Sequence, residues 1–243
     1  MNIRHFGCCP ADVRGRRSRS GVFFLAMAFA VHLMLLLGAA SGQGRVRPLK
    51  ETIDSGRFLF QTQGCASCHS VMGQGGTVGP DLTRTTVWAS PMLGAAVMWN
   101  HVPLMAKARR EKNLPWPMFQ GRDIGDIFTF LHSLSHRKGG AYSFPGEVRK
   151  GEIRFSGTCQ KCHGQPFQGG KIGPDLGPVA ARMSDEIEFA TRMLRHAPKM
   201  VPIARKKSIP WPQFSGSEMA SIFAYLKFFR RSKPGDFSPD SGP

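Results

Sequence analysis

Acidic residues are scarce in this chain. Sixteen Asp and Glu stand against 33 Lys and Arg in 243 residues, a formal net charge of +17. Such an imbalance bears on solubility and on partners, not on fold. Cysteine is scarce too, and six in a chain of this length cannot build a disulfide-dense scaffold. No stretch shows the apolar–polar alternation of a half-buried strand, which argues against a sheet-based architecture. Nor is the chain polar enough for disorder, with 41% hydrophobic and 20% charged residues. Glycine and proline are plentiful, 28 and 18. That composition suits loop-rich folds, or packing around something other than side chains. The length allows one large domain or two small ones.

Residues 1–42 read as a targeting segment. Arg4, Arg14, Arg16, Arg17 and Arg19 precede an apolar run from Val22 to Leu37, broken only by His32, and the small residues Gly38 to Gly42 follow. This is a positive region, an apolar region and a small-residue exit, the pattern of a secretory signal. The alternative is an uncleaved N-terminal membrane anchor, since Gly21 to Ala40 is long enough to span a bilayer. Cleavage is preferred, because Ala39-Ala40-Ser41 offers a small-residue site. On either reading the arginines stay inside and residues 43–243 are exported, to the periplasm or the outer face of the cytoplasmic membrane. Cys8 and Cys9 precede the apolar run and are assigned no function.

The exported part is a tandem repeat. Cys65-Ala66-Ser67-Cys68-His69 returns 94 residues later as Cys159-Gln160-Lys161-Cys162-His163, and Gly79-Pro80-Asp81-Leu82 returns as Gly173-Pro174-Asp175-Leu176. After one inserted residue, Met98, His101, Pro103 and Met105 correspond to Met193, His196, Pro198 and Met200. Pro115-Trp116-Pro117 and Phe119 correspond to Pro210-Trp211-Pro212 and Phe214, and upstream Gly56 and Phe60 to Gly151 and Phe155. The expected organisation is a linker over 43–51, a first domain over 52–135, a second linker over 136–146, a second domain over 147–231 and a loose polar tail over 232–243.

Each repeat reads as helices joined by long loops, so the expected class is all-α. Ile124, Ile127, Phe128 and Leu131 form one apolar helical stripe, and Met219, Ile222, Phe223 and Leu226 repeat it. Ser90-Pro91 suits the cap and first position of a middle helix. Ser184, with Asp185 and Glu186 in the first turn, is expected to do the same in the second repeat. The apolar residues of one repeat make only a thin core. A large bound apolar group would supply the missing buried surface.

The chemistry sits in Cys-x-x-Cys-His. Two thiols at this spacing can take up the two vinyl groups of a haem as thioethers, and the adjacent His then sits under the iron as an axial ligand. A zinc site would need a second ligand pair in each repeat. A thioredoxin-like pair has no use for the following His and needs a strand–helix context that is missing. A disulfide between residues three apart closes almost no loop. Two copies inside a repeat, behind an export signal, make the haem reading highly specific.

Over residues 52–231 both repeats resemble class I cytochrome c domains, and together they resemble diheme c-type cytochromes. The resemblance implies two covalent haem c groups, on Cys65, Cys68, Cys159 and Cys162, with His69 and His163 as proximal iron ligands. It also implies that the carbonyls of Pro80 and Pro174 accept a hydrogen bond from the free nitrogen of each ligating His. The family usually uses a Met sulfur as the sixth ligand. Met105 and Met200, 36 and 37 residues after the proximal His, occur in both repeats and follow a proline expected to break the helix. They are the preferred ligands. His101 and His196 also recur and remain open as alternatives. Met98 and Met193 recur but fall inside the middle helix, where packing is the simpler use. Met118 has Gln213 as its counterpart and fails the test of recurrence. Trp116 and Trp211 are expected to wall the haem pockets.

The first domain carries seven Lys and Arg against five acids, the second fifteen against seven. Lys199, Arg205, Lys206 and Lys207 cluster near Met200. They are either a solvated face or a docking patch for acidic donor and acceptor proteins or an anionic membrane surface. Nucleic acid is not an expected partner. The leading expectation is a non-enzymatic carrier of single electrons. The alternatives are the cytochrome subunit of a larger oxidoreductase or terminal oxidase and, behind it, a diheme peroxidase.

Overall fold

The computed structural model describes residues 47–135 and 142–231. The signal or anchor segment, Cys8 and Cys9, residues 136–141 of the second linker, and the tail from 232 onward lie outside the described residues. Eight helices carry the described fold: α1 Leu49–Thr62, α2 Pro91–Glu111, α3 Asp123–Leu134, α4 Val148–Gly157, α5 Gln160–His163, α6 Gly177–Ala181, α7 Glu186–Lys206 and α8 Gly216–Arg231. The only strands among the described residues are two-residue pieces, β1 Ser70–Val71 and β2 Gln74–Gly75, paired antiparallel. The first helix begins within the stretch expected as a linker, with Glu51 in its first turn, where a negative charge meets the positive end of the helix.

In each repeat the first helix crosses the last at a glycine. A Cβ on Gly56 would lie 2.1 Å from the Asp126 carbonyl oxygen, and one on Gly151 1.9 Å from that of Ser221. Any side chain there would push the helices apart, so hydrogen alone permits this approach. Beside the crossing, Phe60 packs on Phe130 and Phe155 on Tyr225, with ring centres 5.9 and 5.3 Å apart. In the first repeat, buried Asp126 also accepts a hydrogen bond from Ser55 and pairs with Arg47. Ile124, Ile127, Phe128 and Leu131 are all buried, as are Met219, Ile222 and Leu226.

The middle helices differ from expectation in two ways. Ser90 caps α2, accepting from the Leu93 amide, with Pro91 at its first position. In α7, however, Asp185 is the cap, accepting from the Glu188 amide, while the Ser184 hydroxyl donates to Glu188. The second difference is that neither helix stops at its proline. α2 runs through Pro103, and α7 through Pro198 and Pro202. A proline inside a helix removes one N–H and frees the carbonyl four residues earlier. For Pro103 and Pro198 those carbonyls belong to Trp99 and Leu194. The Trp211 indole N–H donates to Trp99 at 2.9 Å, and the Trp116 indole N–H donates to Leu194 at 3.0 Å. Each repeat thus supplies the tryptophan that satisfies the other repeat's broken helix. Residues 99 and 194 are counterparts, so the exchange is reciprocal.

Other contacts strengthen this junction. Trp99 stacks on Trp211 with ring centres 4.5 Å apart, and its own N–H donates to the Pro212 carbonyl at 2.8 Å. Asn100 exchanges two hydrogen bonds with the backbone of Phe214. The described part of the second linker is tied down as well. The Tyr142 amide donates to the Ala89 carbonyl, and half-buried Phe144 packs on the core.

Candidate functional site

Both Cys-x-x-Cys-His segments form a tight helical turn. His69 and Cys68 bond back to the Cys65 carbonyl, and His163 and Cys162 to that of Cys159. In the second repeat this turn brings both thiols and the imidazole onto one crevice. The four cysteines are free thiols. Burial pushes the Cys65 thiol up to about 11, against an opposing pull from Arg109, and burial raises Cys159 as well. Among the described residues, no three or more of His, Cys, Asp and Glu gather as a separate metal centre.

The proximal histidines have a fixed tautomer. His69 Nδ1 lies 3.0 Å from the Pro80 carbonyl oxygen, and His163 Nδ1 2.8 Å from that of Pro174. A carbonyl only accepts, so Nδ1 carries the proton and Nε2 keeps its lone pair for a metal. The preceding glycine allows this contact. A Cβ on Gly79 would sit 2.3 Å from the His69 ring, and one on Gly173 2.7 Å from the His163 ring. The Gly79 and Gly173 amides also bond to the Cys68 and Cys162 carbonyls. The proline carbonyls stand where the resemblance implied, and the close packing of the glycines against the imidazoles is the part that sequence reasoning did not assign.

The aspartate after each proline was also missed. Asp81 accepts from the Thr83 hydroxyl and amide and from the Gly73 amide. Those bonds pull its carboxyl down to about 2. Asp175 takes the corresponding amides of Gly177 and Phe167. The carboxylate ties the two ends of the loop that presents the proline carbonyl. The recurring Gly-Pro-Asp-Leu was the available signal.

Opposite His163, the second repeat opens a crevice of about 600 Å³, lined by Cys159, Cys162, Phe155, Leu176, Leu226 and other apolar side chains. Its size and lining fit a cofactor-sized apolar group. Trp211 lines this crevice, as does Trp99 from the other repeat. Met193, His196 and Met200 all face into it from α7. Burial, then nearby His163 and Lys199, push the His196 imidazole down, toward its neutral form. On α2 the corresponding Met98 and Met105 are half-buried against the core, as is Trp116. His101 is exposed, with Nδ1 2.7 Å from the Val97 carbonyl oxygen. Met118 is 59% exposed. Because both middle helices continue past their prolines, Met105 and Met200 sit in mid-helix just as Met98 and Met193 do. The expected helix break therefore does not separate the two pairs.

Three of the cations expected as a patch, Arg205, Lys206 and Lys207, close the C-terminal end of α7 and are exposed. Positive charge there also complements the helix dipole. Lys199, with Arg192 and Arg195, lines the crevice itself.

A scan of protein-family models matches Cytochrome c twice, over residues 53–135 and 148–228. The chain belongs to the cytochrome c family, with one domain in each repeat. Searches of curated proteins and of solved structures found no match. Two such domains bind two covalent haem c groups, through Cys65 and Cys68 and through Cys159 and Cys162. Their general activity is electron transfer.

Proposed function

We propose that this protein is an exported diheme cytochrome c that moves single electrons from a donor protein to an acceptor protein and changes no substrate chemically. The observation that carries this reading is the matched pair of proximal histidines, each with Nδ1 held by a proline carbonyl and Nε2 left free. When bound, the haem iron supplies a one-electron ferric–ferrous couple. The chain's own residues do the rest. Cys65, Cys68, Cys159 and Cys162 anchor the groups. Pro80 and Pro174 orient His69 and His163, while Trp116 and Trp211 hold the two domains' middle helices together. The sixth position falls to α2 in the first domain, where Met105 is the proposed ligand, and to α7 in the second. Acidic redox partners suit the cations around the second crevice, and the same charge suits an anionic membrane surface. Among the described residues no helix is long and apolar enough to cross a membrane.

The test is a reductive titration of the purified full chain. Two electrons taken up per protein, with no turnover of peroxide, support the carrier reading. Rapid peroxide reduction would replace it with a peroxidase.

One observation favours a second reading, a subunit of a larger membrane oxidoreductase. Leu104 and Met118 on the first domain are 68% and 59% exposed, where the second domain has Lys199 and Gln213. A lasting apolar contact on the first domain would explain them. Co-purification with membrane subunits from native membranes distinguishes this reading from a free carrier.

A further inference from the structure

We propose that His196, rather than a methionine sulfur, is the sixth ligand of the second haem, so that this centre is a bis-histidine haem. The inference rests on the two-haem reading above and deepens it.

His163 has its Nδ1 committed to Pro174, at 2.8 Å, so Nε2 is the nitrogen left for a metal. His196 lines the same crevice, and its ring centre lies 6.4 Å from that of His163, with the planes 59° apart. Two imidazoles on one metal ion stand at that separation. A metal–nitrogen bond of about 2.0–2.1 Å and roughly 1.1 Å from nitrogen to ring centre give roughly 6.3 Å.

The helix supplies the second argument. α7 is continuous from Glu186 to Lys206. Met193, His196 and Met200 therefore share one face at i, i+3 and i+7. His196 is the central member and is the one in ring contact with His163. Met193 and Met200 stand about one turn to either side, both half-buried against the apolar core. Methionine commonly fills irregular space in this way. Met200 was preferred over Met193 because a helix break near Pro198 was expected, and this helix does not break there. Imidazole donates more strongly than a thioether and favours ferric iron, so the second haem takes the lower potential of the ligand choices on this face.

The test uses the full-length holoprotein and two variants, read by ferric absorption, electron paramagnetic resonance and redox titration. The double variant M193L/M200L is close to volume-conserving, so the fold is kept. It is expected to leave the second haem low-spin, with its spectrum and potential unchanged. His196→Met is expected to add one sulfur-to-iron band per chain and to raise the potential of one haem. Loss of a sulfur-to-iron band in M193L/M200L, or an unchanged potential in His196→Met, would overturn the assignment. Covalent haem content is counted on the wild type first. Fewer than two haems per chain would overturn the two-haem reading itself, whatever the ligand.

Discussion

The two repeats share a skeleton, and their middle helices part in charge. Where α7 lines the second crevice with Arg192, Arg195 and Lys199, α2 carries Val97, Asn100 and Leu104 at the corresponding positions. Asn100 is engaged with Phe214 in the junction between the domains. Leu104 is largely exposed. The Cys-x-x-Cys-His and Gly-Pro-Asp-Leu segments recur in both copies, whereas these helix positions differ in charge. If acidic partners dock by charge as proposed, that charge favours the second domain.

The largest effect is expected from the anchors. Replacing Cys65 and Cys68 by Ala should remove one covalent haem, and so should replacing Cys159 and Cys162. Either double variant should retain one haem after acid-acetone extraction, and retention of two would contradict the assignment. The second pair should cost more stability, because it empties a crevice of about 600 Å³ beside the domain junction.

Next come the glycines against the proximal rings. Gly79→Ala and Gly173→Ala each force a methyl into an imidazole, with contacts of 2.3 and 2.7 Å. Overpacking of this kind costs about 1–3 kcal/mol. The first domain, with the shorter contact, should be hit harder. The spectrum of the affected haem and urea unfolding measure it, and equal effects would mean that the two loops yield differently.

The two crossed tryptophans should differ from each other by a smaller margin. Trp116→Leu and Trp211→Leu each leave a carbonyl in the interrupted helix without its partner, a loss of about 1–3 kcal/mol. Trp211→Leu also loses the stack on Trp99, about 0.5–1.5 kcal/mol more. Unfolding of the two variants in parallel checks the order.

Acid should then act on the first domain through Asp81. Its folded value of about 2 lies below the unfolded value of about 3.9. The stabilisation is therefore complete above about pH 4 and is lost as pH falls toward 2. Asp81→Asn should flatten that part of the acid-unfolding curve, and an unchanged curve would show that the loop does not depend on the carboxylate.

The smallest effect on the fold is expected at the rim. Association with an acidic redox partner should slow as salt rises, because the field is screened beyond about 8 Å at physiological ionic strength. Lys199→Glu should slow it further, while Leu104→Glu should leave that salt dependence as it is. A rate indifferent to salt would return the cations to a solvated face.

Much of this molecule follows from sequence alone, because its determinants are local. Cys-x-x-Cys-His carries its chemistry in five residues. Ser90-Pro91 marks a helix start by its own hydrogen-bonding and φ preference, and the stripes at 124–131 and 219–226 mark buried faces by periodicity. Gly-Pro-Asp-Leu announced itself by recurring, although its packing against the imidazole could be read only from the positions of ring atoms ten residues away. The middle helices are where local reasoning fell short. A proline inside a helix is locally unfavourable, so the sequence reads as a break just ahead of Met105 and Met200. Tertiary structure decides otherwise, because the carbonyls freed by Pro103 and Pro198 find their donors on Trp211 and Trp116, more than 75 residues away in sequence. That long-range compensation keeps the helix whole. A whole helix in turn decides which of Met193, His196 and Met200 stands opposite His163.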